Sequence, residues 1–266
     1  MDPPDDGPPA HDHTAGPLTY GAYLRVPELL DLQSPLSLPT AHDEMLFIIV
    51  QQAQELWFKQ ILYELRTVIG LLADGALLEA VRLISRANLI LSVLGSEVEV
   101  LETMPPMEFA RFRGVLSTSS GFESEQFREV ELASGLADPT FLRVLEKHMD
   151  GSTLRALWPV TLADAFRCAL RPLSSDPTAA LAEIYADPPA HLEHFMLAEA
   201  LTEYEIRFQH WRFHHVKLVE RVIGDRAAGT AGTAGSGYLN RTLSYRFFPE
   251  LWEARNRLTA HQPGSS

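Results

Sequence analysis

The sequence predicts an all-α fold, on three observations. Apolar residues recur at spacings of three and four over several long stretches, as they do along one face of an α-helix. No stretch alternates apolar and polar residues in the manner of a half-buried strand. The segment 190–223 contains neither proline nor glycine, the residues that most often interrupt a helix. We therefore predict a single domain of long packed helices.

Charge and composition exclude several classes of protein. The chain has 266 residues, of which 46% are hydrophobic and 21% charged, and its formal net charge is −13. Nucleic-acid coats and binders of anionic membranes need a basic face, so this balance argues against both. No apolar run approaches the roughly 18–20 residues of a membrane span, and the amino terminus has no apolar signal segment. We expect a cytoplasmic protein.

The amino-terminal segment differs in composition from the rest of the chain. Residues 1–17 contain five prolines among Asp, Gly and His, and such a segment has too little apolar surface to offset the entropy of ordering. We predict a disordered tail, 1–17, followed by one helical domain, 18–266. The single cysteine, Cys168, excludes an internal disulfide and any multi-cysteine metal centre.

Two long helices are predicted in the first half of the domain. The first begins after Pro39, and its apolar seam consists of Leu46, Ile49, Val50, Ala53, Leu56, Trp57 and Ile61. The second covers residues 75–104, and the two prolines that follow end it, because proline cannot continue a helix. Asn88 interrupts the apolar seam of this second helix.

Two later helices are recognised by their ends. Ser120 followed by Glu123 is the capping-box signature of a helix that runs toward Leu136. The last long helix covers residues 190–223, and it would extend about 50 Å at about 1.5 Å per residue.

The longest predicted helix carries one histidine on its apolar face and others on its polar face. Helical periodicity places His215 beside Trp211 and Val219. A buried imidazole needs a partner for its ring nitrogens, which is either a backbone carbonyl or a metal such as haem iron. His210 and His214 lie on the exposed face at a spacing that can hold zinc, but the sequence offers no third ligand.

Two further segments have groups that suit an anion. Arg111 and Arg113 precede a polar turn that leads into a predicted helix, where guanidinium groups and free amides can hold a carboxylate. Surface ion pairing accounts for these arginines equally well. The glycine-rich segment GDRAAGTAGTAGSGY lets backbone amides approach a ligand, but it lacks the GK[ST] sequence of a phosphate-binding loop.

Three motif-rich stretches give more specific information. They are LTYGAYLRVPELL with HDEMLFIIVQQAQELWFKQILYEL; FRGVLSTSSGFESEQFREVE; and FQHWRFHHVKLVERVIG with GTAGTAGSGYLNRTL and FFPELW. Together, and in this order, they resemble the tryptophan 2,3-dioxygenase family. The resemblance implies long helices that enclose one b-type haem, and a homotetramer. It also implies that both atoms of dioxygen are inserted across the indole 2,3 bond of L-tryptophan, giving N-formylkynurenine on the kynurenine pathway of tryptophan catabolism.

The resemblance implies roles for residues around the haem. His215 aligns with the proximal ligand of the haem iron, which agrees with its place on the apolar face. Trp211 and Val219 share that face and are expected to line the cofactor. Ser120 aligns with the turn that lies over the haem.

The resemblance also implies roles for residues around the substrate. Arg113 aligns with the arginine that pairs with the amino-acid carboxylate, and Thr230 with the threonine that contacts the amino-acid end. Phe47 aligns with a phenylalanine packed against the indole. Tyr20 and Tyr23 align with tyrosines that complete the active site of a neighbouring subunit.

Two positions depart from the family pattern. Gln51 replaces the distal histidine that faces the indole N–H, and Phe109 replaces a tyrosine near the substrate carboxylate. A glutamine carbonyl can accept that hydrogen bond, but the amide is not a base near neutral pH. Two alternatives follow. One is a related haem monooxygenase that forms a 2-oxindole from tryptophan or a methylated tryptophan, and the other is a haem- or amino-acid-binding sensor without turnover.

Overall fold

A computed structural model describes residues 18–116, 124–148, 151–224 and 236–260, and all regular structure within them is helical. The all-α fold class is therefore confirmed, whereas the predicted tail 1–17 lies outside the described residues. Among the helices of these ranges, none combines the length and apolar character needed to cross a membrane. The α-helices are α1 (Tyr20–Leu24), α2 (Val26–Leu30), α3 (His42–Ala73), α4 (Leu77–Leu101), α5 (Pro106–Arg113), α6 (Glu125–Ser134), α7 (Pro139–His148), α8 (Gly151–Leu157), α9 (Leu162–Leu170), α10 (Pro177–Ala186), α11 (Leu192–Ile223), α12 (Ser236–Thr242) and α13 (Pro249–Ala260).

Three long helices form the centre of the fold. α3 and α11 each have 32 residues and α4 has 25, so α3 and α11 extend about 48 Å at about 1.5 Å per residue. α4 packs along both α11 and α3. The residues of these helices that are at most 1% exposed include Ile61, Leu65, Val68, Ala80, Leu94, Val98, Leu197, Leu201, Tyr204 and Phe208. The predicted uninterrupted helix over 190–223 is confirmed, with its start at Leu192.

The polar residue in the seam of α4 connects it to α11. Asn88 is buried, and its Nδ2 donates a hydrogen bond of 3.0 Å to the carbonyl of Ala200. This hydrogen bond contributes about 0.5–1.5 kcal/mol, whereas the buried Oδ1 of the same amide has no hydrogen-bond partner among the described residues. Asn88 therefore links α4 to α11 through one of its two polar side-chain atoms.

The predicted start of α6 is wrong. The helix begins at Glu125, and the hydroxyl of Ser124 accepts a 3.1 Å hydrogen bond from the amide of Phe127. Ser120 and Glu123, the predicted capping box, lie outside the described residues. Ser124 offers the same kind of acceptor one turn nearer to the apolar residues that α6 buries, so it serves as the cap.

α1 and α2 are here called the amino-terminal arm, and none of their residues is buried. The segment after the arm is held on α3 by polar contacts. The side-chain amide of Gln33 donates a 2.6 Å hydrogen bond to Gln52 Oε1. The Glu44 carboxylate accepts hydrogen bonds from the backbone amides of Leu36 and Ser37 at 2.7 and 3.0 Å. The arm is thus anchored at its base and exposes Tyr20, Tyr23, Leu24, Leu29 and Leu30.

Candidate functional site

α3 and α5 bring two of the predicted substrate residues into contact. The ring centroid of Phe47 lies 6.1 Å from that of Phe109 and 5.6 Å from that of Phe112. Phe109 and Phe112 meet edge to face at 5.2 Å, an arrangement that aromatic rings favour. Phe112 is fully buried and Phe109 nearly so, so the three rings form an apolar wall.

On each of the two helices, a polar residue lies one helical turn after an aromatic residue of this wall. Gln51 comes four residues after Phe47 on α3, and Arg113 comes four residues after Phe109 on α5. Residues four apart share a helix face, and both polar side chains are partly buried. The described residues make no hydrogen bond to the Gln51 side chain. A flat aromatic molecule with an anionic end matches this combination of groups.

A second aromatic cluster surrounds the histidine of α11. The His215 imidazole and the Trp211 indole are stacked with centroids 5.4 Å apart and planes within 2° of parallel. Trp211 also meets Phe127 of α6 at 4.8 Å and the edge of Phe58 on α3 at 6.0 Å. α3 therefore carries both Gln51 of the first cluster and a contact to the second.

The environment of His215 suits a metal ligand. Loss of hydration, together with the positive charge of Arg128, lowers the pKa of His215 to about 4. The ring is therefore neutral at pH 7, which is the form that binds metals. No hydrogen bond to its ring nitrogens comes from the residues that the structure describes, so the alternative of a core histidine bound to a carbonyl finds no carbonyl there. The buried Trp211 Nε1 also has no acceptor among them.

These observations pass a simple test for an axial haem ligand. A haem of this kind needs a neutral imidazole with a free nitrogen in an apolar, helix-lined slot, and His215 provides that nitrogen beside aromatic rings. Val219 lies one turn further along α11 and is partly buried. The donor set therefore fits the cofactor that the family resemblance implies.

A buried ion-pair network next to this cluster was not predicted. Glu131 accepts hydrogen bonds from Arg128 on the same helix and from Arg212 of α11, the latter at 2.7 Å. All three side chains are at most 6% exposed. The sequence signal was ambiguous, because an arginine and a glutamate three residues apart are typical of a solvated helix face.

The remaining histidine and arginine candidates lie outside both aromatic clusters. His210 and His214 border a cavity of about 170 Å³ between α4 and α11, with Glu99 and Arg207. Across the described ranges, no three histidine, cysteine or acidic residues are placed to hold a metal ion. Arg111 forms an exposed 3.0 Å ion pair with Glu108, so surface pairing accounts for it.

Among the other predicted site residues, only Tyr20 and Tyr23 lie within the described residues. Ser120 and Thr230 lie outside the described residues. Tyr20 and Tyr23 lie on α1 and are 79% and 72% exposed. Their place is therefore on the outer surface of this subunit.

Sequence comparison with known proteins identifies the family of this chain. The family model for tryptophan 2,3-dioxygenase matches residues 6–150 and 169–258. A tryptophan 2,3-dioxygenase of Nocardioides sp. is 40% identical over 254 residues, which cover 91% of this chain and 95% of that protein. Those of Caulobacter vibrioides and Bacillus thuringiensis are each 38% identical over 262 residues, covering 91% of this chain and 98% and 93% of the relative. The chain belongs to the tryptophan 2,3-dioxygenase family.

Proposed function

We propose that the protein is a haem-dependent oxygenase that inserts both atoms of dioxygen across the indole 2,3 bond of L-tryptophan, giving N-formylkynurenine. The observation that carries the proposal is the neutral imidazole of His215, stacked on a Trp211 ring that also contacts Phe58 and Phe127. The relatives that bear the name tryptophan 2,3-dioxygenase support the same reaction.

In this proposal, a b-type haem is held by α11. His215 would ligate the iron through a ring nitrogen, and Trp211 and Val219 would line the cofactor. Ser120 would lie in a turn over the haem, as the family resemblance implies. When bound, ferrous haem supplies the iron that binds dioxygen. The surrounding aromatic side chains exclude water from this slot, which protects a reactive centre.

The substrate is held by the first aromatic cluster. The indole packs against Phe47 and Phe109, and the Gln51 carbonyl accepts a hydrogen bond from the indole N–H. Arg113 pairs with the carboxylate through a charge-assisted hydrogen bond, and Thr230 contacts the amino-acid end. Because a glutamine amide cannot take a proton near neutral pH, Gln51 orients the ring and the protein contributes mainly through positioning.

The exposed amino-terminal arm supports a homotetramer. Its two helices bury nothing within their own subunit, and they present leucines together with Tyr20 and Tyr23. Exposed apolar patches of this kind mark interaction sites. In this proposal, the arm packs on a neighbouring subunit and completes its substrate site.

The reaction is tested by the mass of the product that reduced, haem-loaded protein forms from L-tryptophan under ¹⁸O-labelled dioxygen. We expect two labelled atoms in one product. A single labelled atom would instead make the protein a monooxygenase. The protein would be a sensor if tryptophan shifted its Soret band but neither tryptophan nor methylated tryptophan gave a product, with dioxygen or with peroxide as the oxidant.

The haem ligand is tested separately. We expect His215→Ala to abolish stoichiometric haem binding, whereas His214→Ala, which changes the neighbouring and also partly buried histidine, retains it. The measurement is the haem-to-protein ratio from the pyridine haemochrome spectrum. Full haem content in His215→Ala would refute the ligand assignment.

A further inference from the structure

The buried network of Arg128, Glu131 and Arg212 calls for an explanation beyond stability. Their side chains are 6%, 1% and 3% exposed, and charged residues are almost never buried this far unless they are paired. Apolar residues of similar volume are often at least as stabilising as a buried ion pair. Retention of these charges in the core therefore suggests that the charge itself has a use.

The network lies next to the proposed haem ligand. The Arg128 guanidinium lies 4.8 Å from the ring centroid of Phe127, whose centroid is 4.8 Å from that of Trp211. Trp211 in turn is stacked on His215. A chain of aromatic contacts thus links Arg128 to His215, and a charge acts over a longer range in apolar surroundings than in water.

The position of this charge is fixed from several sides. Glu131 binds Arg128 and is itself bound by Arg212, which connects α6 to α11 one turn before His215. The Arg212 guanidinium lies over the rings of Phe208, Tyr245 and Phe247 at 4.7, 5.4 and 5.4 Å. A guanidinium held by both a carboxylate and aromatic faces has little freedom to move.

We propose that Arg128, fixed by Glu131 and Arg212, is a positioning residue whose charge raises the reduction potential of a haem iron bound to His215. This inference rests on the proposed haem site. Ferric iron carries one more positive charge than ferrous iron, so a fixed positive charge nearby disfavours the ferric state. Arg128 therefore favours the ferrous state, which is the state that binds dioxygen.

The test is a spectroelectrochemical titration of the full-length, haem-loaded protein. We expect Arg128→Gln to lower the ferrous-to-ferric ratio at a fixed potential by about tenfold, equivalent to about 59 mV for one electron. Arg128→Lys retains the charge and should restore most of the ratio. Glu131→Gln removes a negative charge and should shift the ratio in the opposite direction.

A matched control comes from an exposed arginine of α3 that pairs with α6. Arg66 forms a 3.0 Å ion pair with Glu129 of α6 and is 56% exposed, so water and salt screen its charge. We expect Arg66→Gln to leave the reduction potential unchanged. Circular dichroism and the haem-to-protein ratio are measured for every variant.

Several outcomes would overturn the proposal. One is a shift of Arg128→Gln and Glu131→Gln in the same direction, which indicates a general disturbance of the slot, and another is an unchanged potential in both. A third is failure of both variants to fold while Arg128→Lys folds, which would make the network structural. Haem retained by His215→Ala would instead refute the proposed ligand, so the two failures are distinguishable.

Discussion

A glutamine amide at position 51 limits what the candidate site can do to an indole ring. Its carbonyl can accept a hydrogen bond, but the amide cannot remove a proton near neutral pH. The residues that the structure describes leave this side chain without a hydrogen bond of their own, so it is available to a ligand. At the scale of single residues, the chemistry of the site depends on orientation more than on acid–base catalysis.

We expect Gln51→Leu to lower kcat/KM for L-tryptophan by up to about tenfold, because one hydrogen bond worth about 0.5–1.5 kcal/mol is lost. 1-Methyltryptophan has no indole N–H, so the same variant should leave its kcat/KM unchanged. Steady-state kinetics with both substrates measure the difference. An equal loss with both substrates would show that Gln51 acts through its shape alone.

The placement of some residues could be predicted from sequence, and that of others could not. Helical periodicity identified His215 and its neighbour Trp211, because a 3.6-residue repeat places them on one face. The same periodicity suggested that Asn88 was a defect, since it carries no information about the Ala200 carbonyl on a distant helix. The burial of Glu131 was equally invisible, because local spacing does not show which helix covers a face.

At the scale of elements, the junction between α6 and α9 has almost no free space. Gly135 follows α6 with φ of +105°, and a Cβ there would lie 2.4 Å from the Cβ of Ala163. The left-handed conformation disfavours any side chain, and the close approach of α9 excludes even a methyl group. The close packing of α6, which carries Arg128, against α9 therefore requires glycine at position 135.

We expect Gly135→Ala to lower the free energy of unfolding by about 1–2 kcal/mol from the left-handed backbone and by about 1–3 kcal/mol more from overpacking. Gly75→Ala is the matched control, because Gly75 has φ of +75° but no atom within 4 Å of the added Cβ. It should show the backbone cost alone. Urea unfolding measures both, and equal losses would contradict the steric argument.

The elements themselves were predicted better than their ends. The two longest predicted helices correspond to α4 and α11, because long periodic seams leave little choice of structure. The start of α6 was predicted too early, because Ser120 and Ser124 both provide a hydroxyl suited to a cap. Which serine is used depends on the tertiary packing of the first turn, and a single sequence does not contain that information.

At the scale of the whole molecule, the exposed amino-terminal arm is the part of the fold that bears on the proposed tetramer. Tyr20 and Tyr23 are exposed on helices that bury nothing, whereas Arg113 and the aromatic wall lie within the subunit. If the arm serves the neighbouring site, each working site combines two chains. The oligomer is then a requirement of the chemistry and not only of stability.

We expect a double variant, Tyr20→Ala with Tyr23→Ala, and a single variant, Arg113→Ala, each to lose most activity as homomers. Mixed oligomers of the two should recover activity, because some sites then combine an intact arm with an intact Arg113. A mixture of Arg113→Ala with His215→Ala should not recover activity. Each site takes both residues from the same subunit, so every site in this mixture lacks one of them. Product formation after co-expression is the readout, and no recovery in the first mixture would contradict a shared site.

The hydrogen bond between Asn88 and Ala200 also has a consequence for biosynthesis. The two residues are 112 positions apart, so at about 5–20 residues per second Asn88 leaves the ribosome about 6–22 s before its partner. During that interval α3 and α4 have no α11 to cover them, and His215 has not yet emerged. The proposed haem site can therefore form only after most of the chain has been translated, so any cofactor it holds joins a nearly finished polypeptide.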